Sequence, residues 1–433
     1  MDRRSLFFTS CVALVTTAIS FSMRGDVLDA LGADFHLNHE QLGLILSPAF
    51  WGNTVSILIG GALVDYLGMR RLLQLSSIGY ILAPLLMIFA PRPAGPMTPY
   101  YTDPGFICLY AGMLMLGLCQ GLVEGVINPL VATIYSDDKT HRFNVLHSWW
   151  PGGLIIGSLL AYAITKMMGL DATGVSASRS TLGWQVKMAI ILLPAAAYGV
   201  LLLKQQFPKT ERVAAGVSSR DMFREALRPM FLLWFVCMWM TSSAELGPDQ
   251  WVGPIIMNLT GMRGILILAY TSGIMFLLRF FVGGKLAHQF SPLGLLTISS
   301  VLTAVGLFSL ASVHAWQQAF VAATIFGVGK TFFWPTMLGV TSERFPRGGA
   351  LLLAIMGGAG NFAVAFILPW MGKWYDEDGA ATAFRYVGVL PIILTVIFGA
   401  LLVYYKSTGG YRAIELKTAE PSIEVHEDGR VGG

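Results

Sequence analysis

Charged residues are scarce in this sequence. Of its 433 residues, 12% are charged and 55% are hydrophobic, whereas an ordinary soluble domain carries about 25% charged residues. So few charges cannot cover the water-facing surface of a chain of this size, which excludes an ordinary soluble protein. We therefore treat the lipid bilayer as the solvent of the fold.

Motifs of common catalytic and binding classes are also missing. The four cysteines lie in or beside apolar runs and have no metal-ligand spacing. No glycine-rich phosphate loop ending in Lys and Ser or Thr is present, and no nucleophile and base pair is visible. We therefore expect no metal, no cofactor and no enzymatic activity. The net charge of +4 comes from basic residues that lie mostly between apolar runs, so we expect no nucleic-acid partner.

Long apolar segments follow one another along almost the whole chain. About 20 apolar residues suffice for a helix to cross the hydrocarbon core. The segments predict an all-α membrane protein with twelve transmembrane spans, near residues 6–31, 42–65, 71–90, 105–135, 143–165, 184–204, 229–247, 262–283, 293–311, 317–341, 349–372 and 383–405.

One polar stretch divides these spans into two groups of six. We predict an N-terminal six-helix bundle over residues 1–204, a linker over 205–228, a C-terminal six-helix bundle over 229–405 and a disordered polar tail over 406–433. Lys and Arg concentrate on the face that carries both termini and the linker. Because cytoplasmic loops collect basic residues, we expect both termini in the cytoplasm and the chain in the cell membrane, the inner membrane if the source is a Gram-negative bacterium.

An internal repeat supports two pseudo-symmetric bundles. In the fourth span Glu124 stands five residues before Pro129, and in the tenth span Lys330 stands five residues before Pro335. Many transporters duplicate a bundle and bind substrate between the copies. The repeat therefore predicts Glu124 and Lys330 at equivalent positions on either side of a central cavity.

A glycine-rich and charged loop follows the second span. Its residues Gly61, Asp65, Gly68, Arg70 and Arg71 resemble the signature loop of the major facilitator superfamily, G-x3-D-[RK]-x-G-x-[RK]-[RK]. The resemblance implies the major facilitator fold, and it implies that this loop is a conformational latch and not a substrate site.

A narrower likeness concerns spans one, two, four, five and seven. The runs CQGLVEGVINP, FNVLHSWWPGG and AELGPDQW are similar to the fucose and glucose symporter branch of that superfamily. The likeness implies that Glu124 is the proton-coupling acid, and it suggests Asp26 as a second functional acid. Lys330 and the Trp-Pro pair of the tenth span are not part of that branch pattern, which leaves the substrate open.

Charged residues inside the spans are the next candidates, because burying a charge in a bilayer costs several kcal/mol unless it is paired or hydrated. Our hypothesis is that Glu124 and Lys330 approach each other in one conformational state and couple proton movement to rocking of the halves. The alternative is a permanent salt bridge between the halves. Glu245 could instead lie at the outer end of its span, and Arg279 could extend its side chain to the cytoplasm.

Aromatic and amide side chains near the same level could bind a sugar by stacking and hydrogen bonding. Trp251, placed beside an outer loop, is a further candidate. The alternatives are aromatic belts and interhelical hydrogen bonds. The candidate cavity residues are Gln120, Asn128, Asn144, His147, Trp149, Trp150, Trp334 and Asn361.

The sequence therefore predicts a secondary transporter that moves a small polar solute, most simply a sugar, by alternating access with a proton or a sodium ion. The alternatives are a carrier of small organic anions that uses Lys330, and a membrane sensor that binds a solute without transporting it. Alternating access requires no second subunit, so we expect a functional monomer.

Overall fold

The computed structural model describes residues 2–95, 99–135, 139–169, 183–208, 224–282, 290–345 and 349–412. In these ranges the regular structure is helical. The α-helices are α1 Arg3–Asp26, α2 Leu28–Phe35, α3 His39–Leu46, α4 Pro48–Leu67, α5 Met69–Ile88, α6 Pro104–Ile134, α7 Lys139–Met167, α8 Gly183–Ala189, α9 Leu192–Leu202, α10 Pro229–Thr260, α11 Ile265–Leu277, α12 Pro292–Leu310, α13 Trp316–Lys330, α14 Phe333–Arg344, α15 Gly349–Asp378 and α16 Ala380–Ser407.

These helices form the twelve predicted spans, because spans 1, 2, 6 and 10 each contain two helices: α1 with α2, α3 with α4, α8 with α9, and α13 with α14. By length and apolarity, nine helices of the described chain could cross a membrane, and the shorter apolar helix Ile265–Phe281 corresponds to span 8. Spans 5 and 10 are the other two. Span 5 begins with the polar run KTHRFN, and span 10 is interrupted near its middle.

Spans 1–6 pack into one bundle and spans 7–12 into a second. The main contacts between the bundles join span 2 to span 11 and span 5 to span 8. Span 2 is the repeat equivalent of span 8, and span 11 is the repeat equivalent of span 5. The two contacts are therefore equivalent, and the interface has the pseudo-twofold symmetry expected of duplicated bundles. Span 1 also contacts span 7 along this interface.

Span 7 is longer than predicted. The sequence prediction ended it at residue 247, but α10 continues to Thr260 and ends at Gly261, whose φ of 69° is in the left-handed region. The predicted bounds placed Gly247, Pro248 and Asp249 at the outer end of this span. Asp249 can stay inside the helix because a buried ammonium neutralises it. Trp251 is consequently buried, with its indole N–H donated to the carbonyl of Leu368 and its ring 5.9 Å from that of His39.

Span 10 is broken where a continuous helix over 317–341 was predicted. α13 ends at Lys330 and α14 begins at Phe333. Pro335 has no backbone N–H to donate to the carbonyl of Thr331, four residues earlier. The Nε of Arg279 donates to that carbonyl instead, at 2.9 Å. The Trp-Pro pair thus creates an acceptor inside the bundle that a distant cation satisfies.

The two bundles are closed against each other at one end. We call the end where α1 begins and α16 ends the terminal face, and the opposite end the far face. At the far face, Asp376 of span 11 accepts a hydrogen bond from the backbone N–H of Glu40 at 2.9 Å and lies 2.6 Å from Nδ1 of His39. The carboxylate therefore binds the N-terminus of α3 in the other bundle, where an anion is favoured.

Glycines allow the backbones to approach closely at this closure. A Cβ on Gly43 would lie 2.5 Å from the carbonyl oxygen of Leu368, and one on Gly372 would lie 2.1 Å from the carbonyl oxygen of His39. The His39 ring also stacks on Tyr375 with centroids 3.8 Å apart. The far face is therefore sealed by direct contact between spans 2 and 11.

Replacing Asp376 by Asn should open the far face, because the variant loses the charge that pairs with His39 and caps α3. If the free energy that favours the closed far face falls by about 1.4 kcal/mol, a cysteine buried in this interface should react with maleimide about ten times faster. The measurement is the rate of maleimide labelling of Ser47→Cys in detergent, in a background without native cysteines. Ser47 lies in the same interface and donates to the carbonyl of Ala365. Glu377→Gln is the control, and equal rates for both variants would refute the role of Asp376.

Candidate functional site: buried charges between the bundles

Lys330 is a fully buried cation at the end of α13. A helix C-terminus favours a positive charge, and the break in span 10 places that C-terminus inside the bundle. Its Nζ lies 2.5 and 2.6 Å from the two carboxylate oxygens of Asp249 in span 7. The ammonium also lies 4.9 Å from the ring centroid of Phe326. Lys330 is thus neutralised within the C-terminal bundle.

A second ion pair lies one helical turn away. Glu245 precedes Asp249 by four residues on α10, so both carboxylates lie on one face of the helix. Arg279 is 3.7 Å from Glu245 and sits in a π-helical turn, Leu278–Val282. It therefore points into the bundle and does not extend to the cytoplasm. These two acids and two bases have no net formal charge.

Glu124 has no such partner in this conformation. Its Oε1 accepts a hydrogen bond from the side-chain amide of Gln120 at 3.0 Å, and the buried Asn53 lies beside it. Within the described residues, its hydrogen-bonding neighbours are neutral amides. The hypothesised pairing of Glu124 with Lys330 is absent here because the longer span 7 brings Asp249 to the ammonium.

The cavity candidates separate into different environments. His147 Nε2 lies 3.1 Å from Oδ1 of Asn128, and His147 interacts electrostatically with Arg279 across the interface. These two polar groups of the N-terminal bundle therefore face the charged network of the C-terminal bundle. Gln120 is buried against Glu124, as described above.

The tryptophans and Asn361 differ in exposure. Trp149 is exposed and Trp334 is half-buried. Trp150 is half-buried, and its ring packs edge-on against Phe21 with centroids 5.7 Å apart. Asn361 is buried and donates to the carbonyl of Gly357 in its own helix at 3.1 Å.

Trp251 and Asn144 are the two remaining candidates. Trp251 is fully buried between spans 7 and 11 and is therefore removed from the candidate cavity. The side chain of Asn144 lies outside the described residues.

Asp26 ends α1 and forms a short ion pair with Lys187 of span 6. Both side chains are almost completely buried. Asp26 is therefore bound within the N-terminal bundle, on the far-face side.

The loop proposed as a latch is described in part. Gly68 precedes the first residue of α5 as its N-cap and has a φ of 80°. Glycine is favoured there because it adopts a positive φ without strain. The Arg70 guanidinium donates to the carbonyl of Leu203 at the end of span 6, and Arg71 is exposed. Gly61 and Asp65 belong to α4, but their side-chain environments lie outside the described residues.

Several charged partners were not among the predicted site residues. Asp249 was excluded because span 7 was ended too early. Arg24 and Lys187 each lie inside a predicted apolar span, and a charge in that position was the signal that could have identified them. Both side chains are buried in the structure.

Comparisons with curated proteins give two distant relatives, both from Arabidopsis thaliana. A probable anion transporter of the chloroplast is 27% identical over 135 residues, which cover 30% of this chain and 23% of that protein. Monosaccharide-sensing protein 1 is 21% identical over 225 residues, which cover 51% of this chain and 27% of that protein. The chain thus matches about a quarter of the length of each curated relative.

Solved structures resemble the chain over almost its full length. The xylose transporter XylE from E. coli, in a partially occluded inward-open conformation, aligns with a TM-score of 0.74 and 13% identity over 93% of this chain and 100% of that chain. A D-xylose-proton symporter aligns with a TM-score of 0.73 and 16% identity, over 91% and 96% of the two chains. The nucleoside transporter NupG, as its D323A mutant, aligns with a TM-score of 0.72 and 12% identity, over 92% and 99%. These likenesses show the fold.

The family assignment comes from the sequence itself. The family model of the Major Facilitator Superfamily matches residues 6–313. This range contains the signature loop and nine of the twelve spans, and the fold agrees with it. The chain is a member of the Major Facilitator Superfamily and a multi-pass membrane protein.

Proposed function

We propose that this transporter moves a small, neutral, polar solute of the sugar class and couples its movement to protons through Glu124. The observation that carries the proposal is the environment of Glu124, a half-buried carboxyl group among neutral amides. A group in this setting changes its charge by exchanging a proton with water when the cavity opens. That exchange is the property required of a coupling group.

The pairing of charges in the C-terminal bundle favours neutral cargo. Asp249 neutralises Lys330 with two short contacts, and Glu245 lies against Arg279. A cargo carboxylate would have to displace one of these acids and leave it buried without a partner, which is costly. A sugar makes no such demand, because its hydroxyls can bond to amide and imidazole groups.

Polar and aromatic groups of suitable type face the interface. His147 and Asn128 are hydrogen-bonded to each other and lie opposite Arg279. Trp150 and Trp334 are half-buried and could offer a ring face to the apolar side of a pyranose. Two solved structures of the same fold are those of a xylose transporter and a D-xylose-proton symporter, which supports this cargo class.

A small organic anion is the second candidate cargo, and Arg279 favours it. Its contact with Glu245 is long, at 3.7 Å, and its buried Nη2 makes no hydrogen bond. A carboxylate could therefore compete for this guanidinium more easily than for Lys330. The relative described as a probable anion transporter is consistent with this reading.

The bilayer arrangement follows from the basic residues. We propose that the terminal face is cytoplasmic, which makes the far face external and this conformation closed to the outside. A single chain contains both bundles and the whole charge network, so one subunit is sufficient. The uptake assay distinguishes two alternatives. One is coupling to sodium in place of the proton, and the other is a non-transporting sensor like the relative named for monosaccharide sensing.

Uptake into proteoliposomes tests the proposed function. Labelled sugars and small organic acids are offered under an imposed proton gradient and, separately, a sodium gradient. We expect saturable sugar accumulation driven by the proton gradient. Uptake of organic acids alone would indicate that the cargo binds at Arg279. Uptake of neither class would support a sensor.

Glu124→Gln should abolish uphill accumulation while leaving downhill exchange of the same solute, because the amide cannot exchange a proton but preserves the shape of the site. The exposed Glu377→Gln is the matched control and should accumulate normally. If Glu124→Gln accumulates solute as the unmodified protein does, the coupling role of Glu124 is disproved.

Lys330→Met should lower thermal stability strongly, because it leaves Asp249 as a buried, unpaired charge at a cost of about 3–5 kcal/mol. Adding Asp249→Asn should restore most of the loss, whereas adding Glu124→Gln should not. The measurement is the fraction of monodisperse protein that survives heating, followed by size-exclusion chromatography. Rescue by Glu124→Gln would instead assign the ammonium to the acid of span 4.

A further inference from the structure

Several buried polar atoms without partners occur close together in the N-terminal bundle. They are Nε and Nη1 of Arg24 and the hydroxyl of Tyr80. Both side chains are 1% exposed. Buried polar groups in native proteins are nearly always hydrogen-bonded, so this concentration indicates a function that this conformation leaves unsatisfied.

Arg24 is held by aromatic rings and not by an acid. Its guanidinium carbon lies 5.6 Å from the ring centroid of Phe21 and 5.2 Å from that of Phe50. Among the described residues it has no carboxylate within salt-bridge distance. Cation–π contacts are weaker than the charge-assisted hydrogen bonds that a desolvated guanidinium makes with a carboxylate.

Tyr80 connects this cation to Glu124. It belongs to span 3 and interacts electrostatically with Arg24 of span 1 and with Glu124 of span 4. Its phenol can donate to a carboxylate and accept from a guanidinium at the same time. The hydroxyl makes no hydrogen bond in this conformation, so it is free to bond to either group after a rearrangement.

The turn of span 1 that carries Arg24 also contacts the opposite bundle. The side-chain amide of Gln250 in span 7 donates to the carbonyl of Phe21 at 3.0 Å. A Cβ on Gly25 would lie 3.2 Å from the backbone oxygen of Gln250. Movement of this turn would therefore change the contact between the two halves.

We propose that Arg24 is the internal counter-ion of Glu124. When Glu124 releases its proton to cavity water, the guanidinium leaves Phe21 and Phe50 and binds the carboxylate through Tyr80, which shifts the contact of span 1 with Gln250. The arrangement in this structure corresponds to the protonated carboxyl. Arg24 is thus a positioning residue, and the inference rests on the coupling role given to Glu124 under the proposed function.

Other titratable groups around the cluster are few in the described residues. Span 4 contributes Cys119 and span 6 contributes Tyr198, both beside Tyr80. Span 5 contributes His147, which is directed to Asn128, and span 2 contributes the neutral Asn53. Of these and Arg24, only Arg24 carries a positive charge throughout the range from pH 5 to pH 9.

The test measures conformation without cargo. Spin labels are attached at Tyr101→Cys and Trp316→Cys, two exposed far-face positions in opposite bundles. Pulsed electron paramagnetic resonance then gives the distance between the two labels as a function of pH. The four native cysteines are replaced by alanine. We expect a pH-dependent distance change in the otherwise unmodified protein and none in Glu124→Gln.

Arg24→Met should move the midpoint of this change upward by about one to three pH units, the effect of removing a cation beside an acid. Arg24→Lys keeps the charge and should keep most of the response. Lys373→Met, which removes a more exposed cation, is the matched control and should leave the midpoint unchanged. Should Arg24→Met not fold, Tyr80→Phe tests the same link and should also raise the midpoint.

The outcomes separate this inference from the cargo proposal. A midpoint unaltered by Arg24→Met, or by Tyr80→Phe where that variant is used, overturns the counter-ion role. The absence of any response that depends on Glu124 overturns it as well. A shifted midpoint in a protein that takes up no sugar would leave the counter-ion in place and reject only the proposed cargo.

Discussion

The cost of placing a charge in hydrocarbon is the constraint on which this structure depends. Lys330 can be buried because Asp249 neutralises it, and Asp249 can remain inside span 7 for the same reason. The length of span 7 and the break in span 10 are therefore linked, since each presents one member of the pair. Arg279 extends the network by binding the carbonyl that Pro335 leaves without a donor.

The two bundles share a fold but differ in the partners of their charged side chains. In the C-terminal bundle, the acids of span 7 lie against Lys330 and Arg279. In the N-terminal bundle, Asp26 pairs with Lys187, but Glu124 is bound by an amide and Arg24 by aromatic rings. The first arrangement resists change, because breaking a buried pair leaves uncompensated charges. The second can change with the protonation of one carboxyl group, which is why we propose that proton coupling resides in the N-terminal bundle.

The interface between the bundles permits such a change to be transmitted. Spans 2 and 11 approach closely through Gly43 and Gly372, and the pair His39 and Asp376 closes the far face. The charge pairs at Lys330 and Asp26 lie within single bundles and not across this interface. Each bundle can therefore move as a unit, and the contacts that must break are those near the far face and between spans 1 and 7.

The sequence by itself determined the membrane environment, the twelve spans in two groups and the superfamily, because apolar length, the polar linker and the signature loop are local features. It also identified Glu124, Lys330, Glu245 and Arg279 as charges inside spans. Only the tertiary structure decided their partners. Asp249 meets Lys330 across 81 residues of chain, and no local pattern shows whether a Gly-Pro-Asp run ends a helix or continues it. The answer depends on whether a distant cation neutralises the acid, and that is a property of packing.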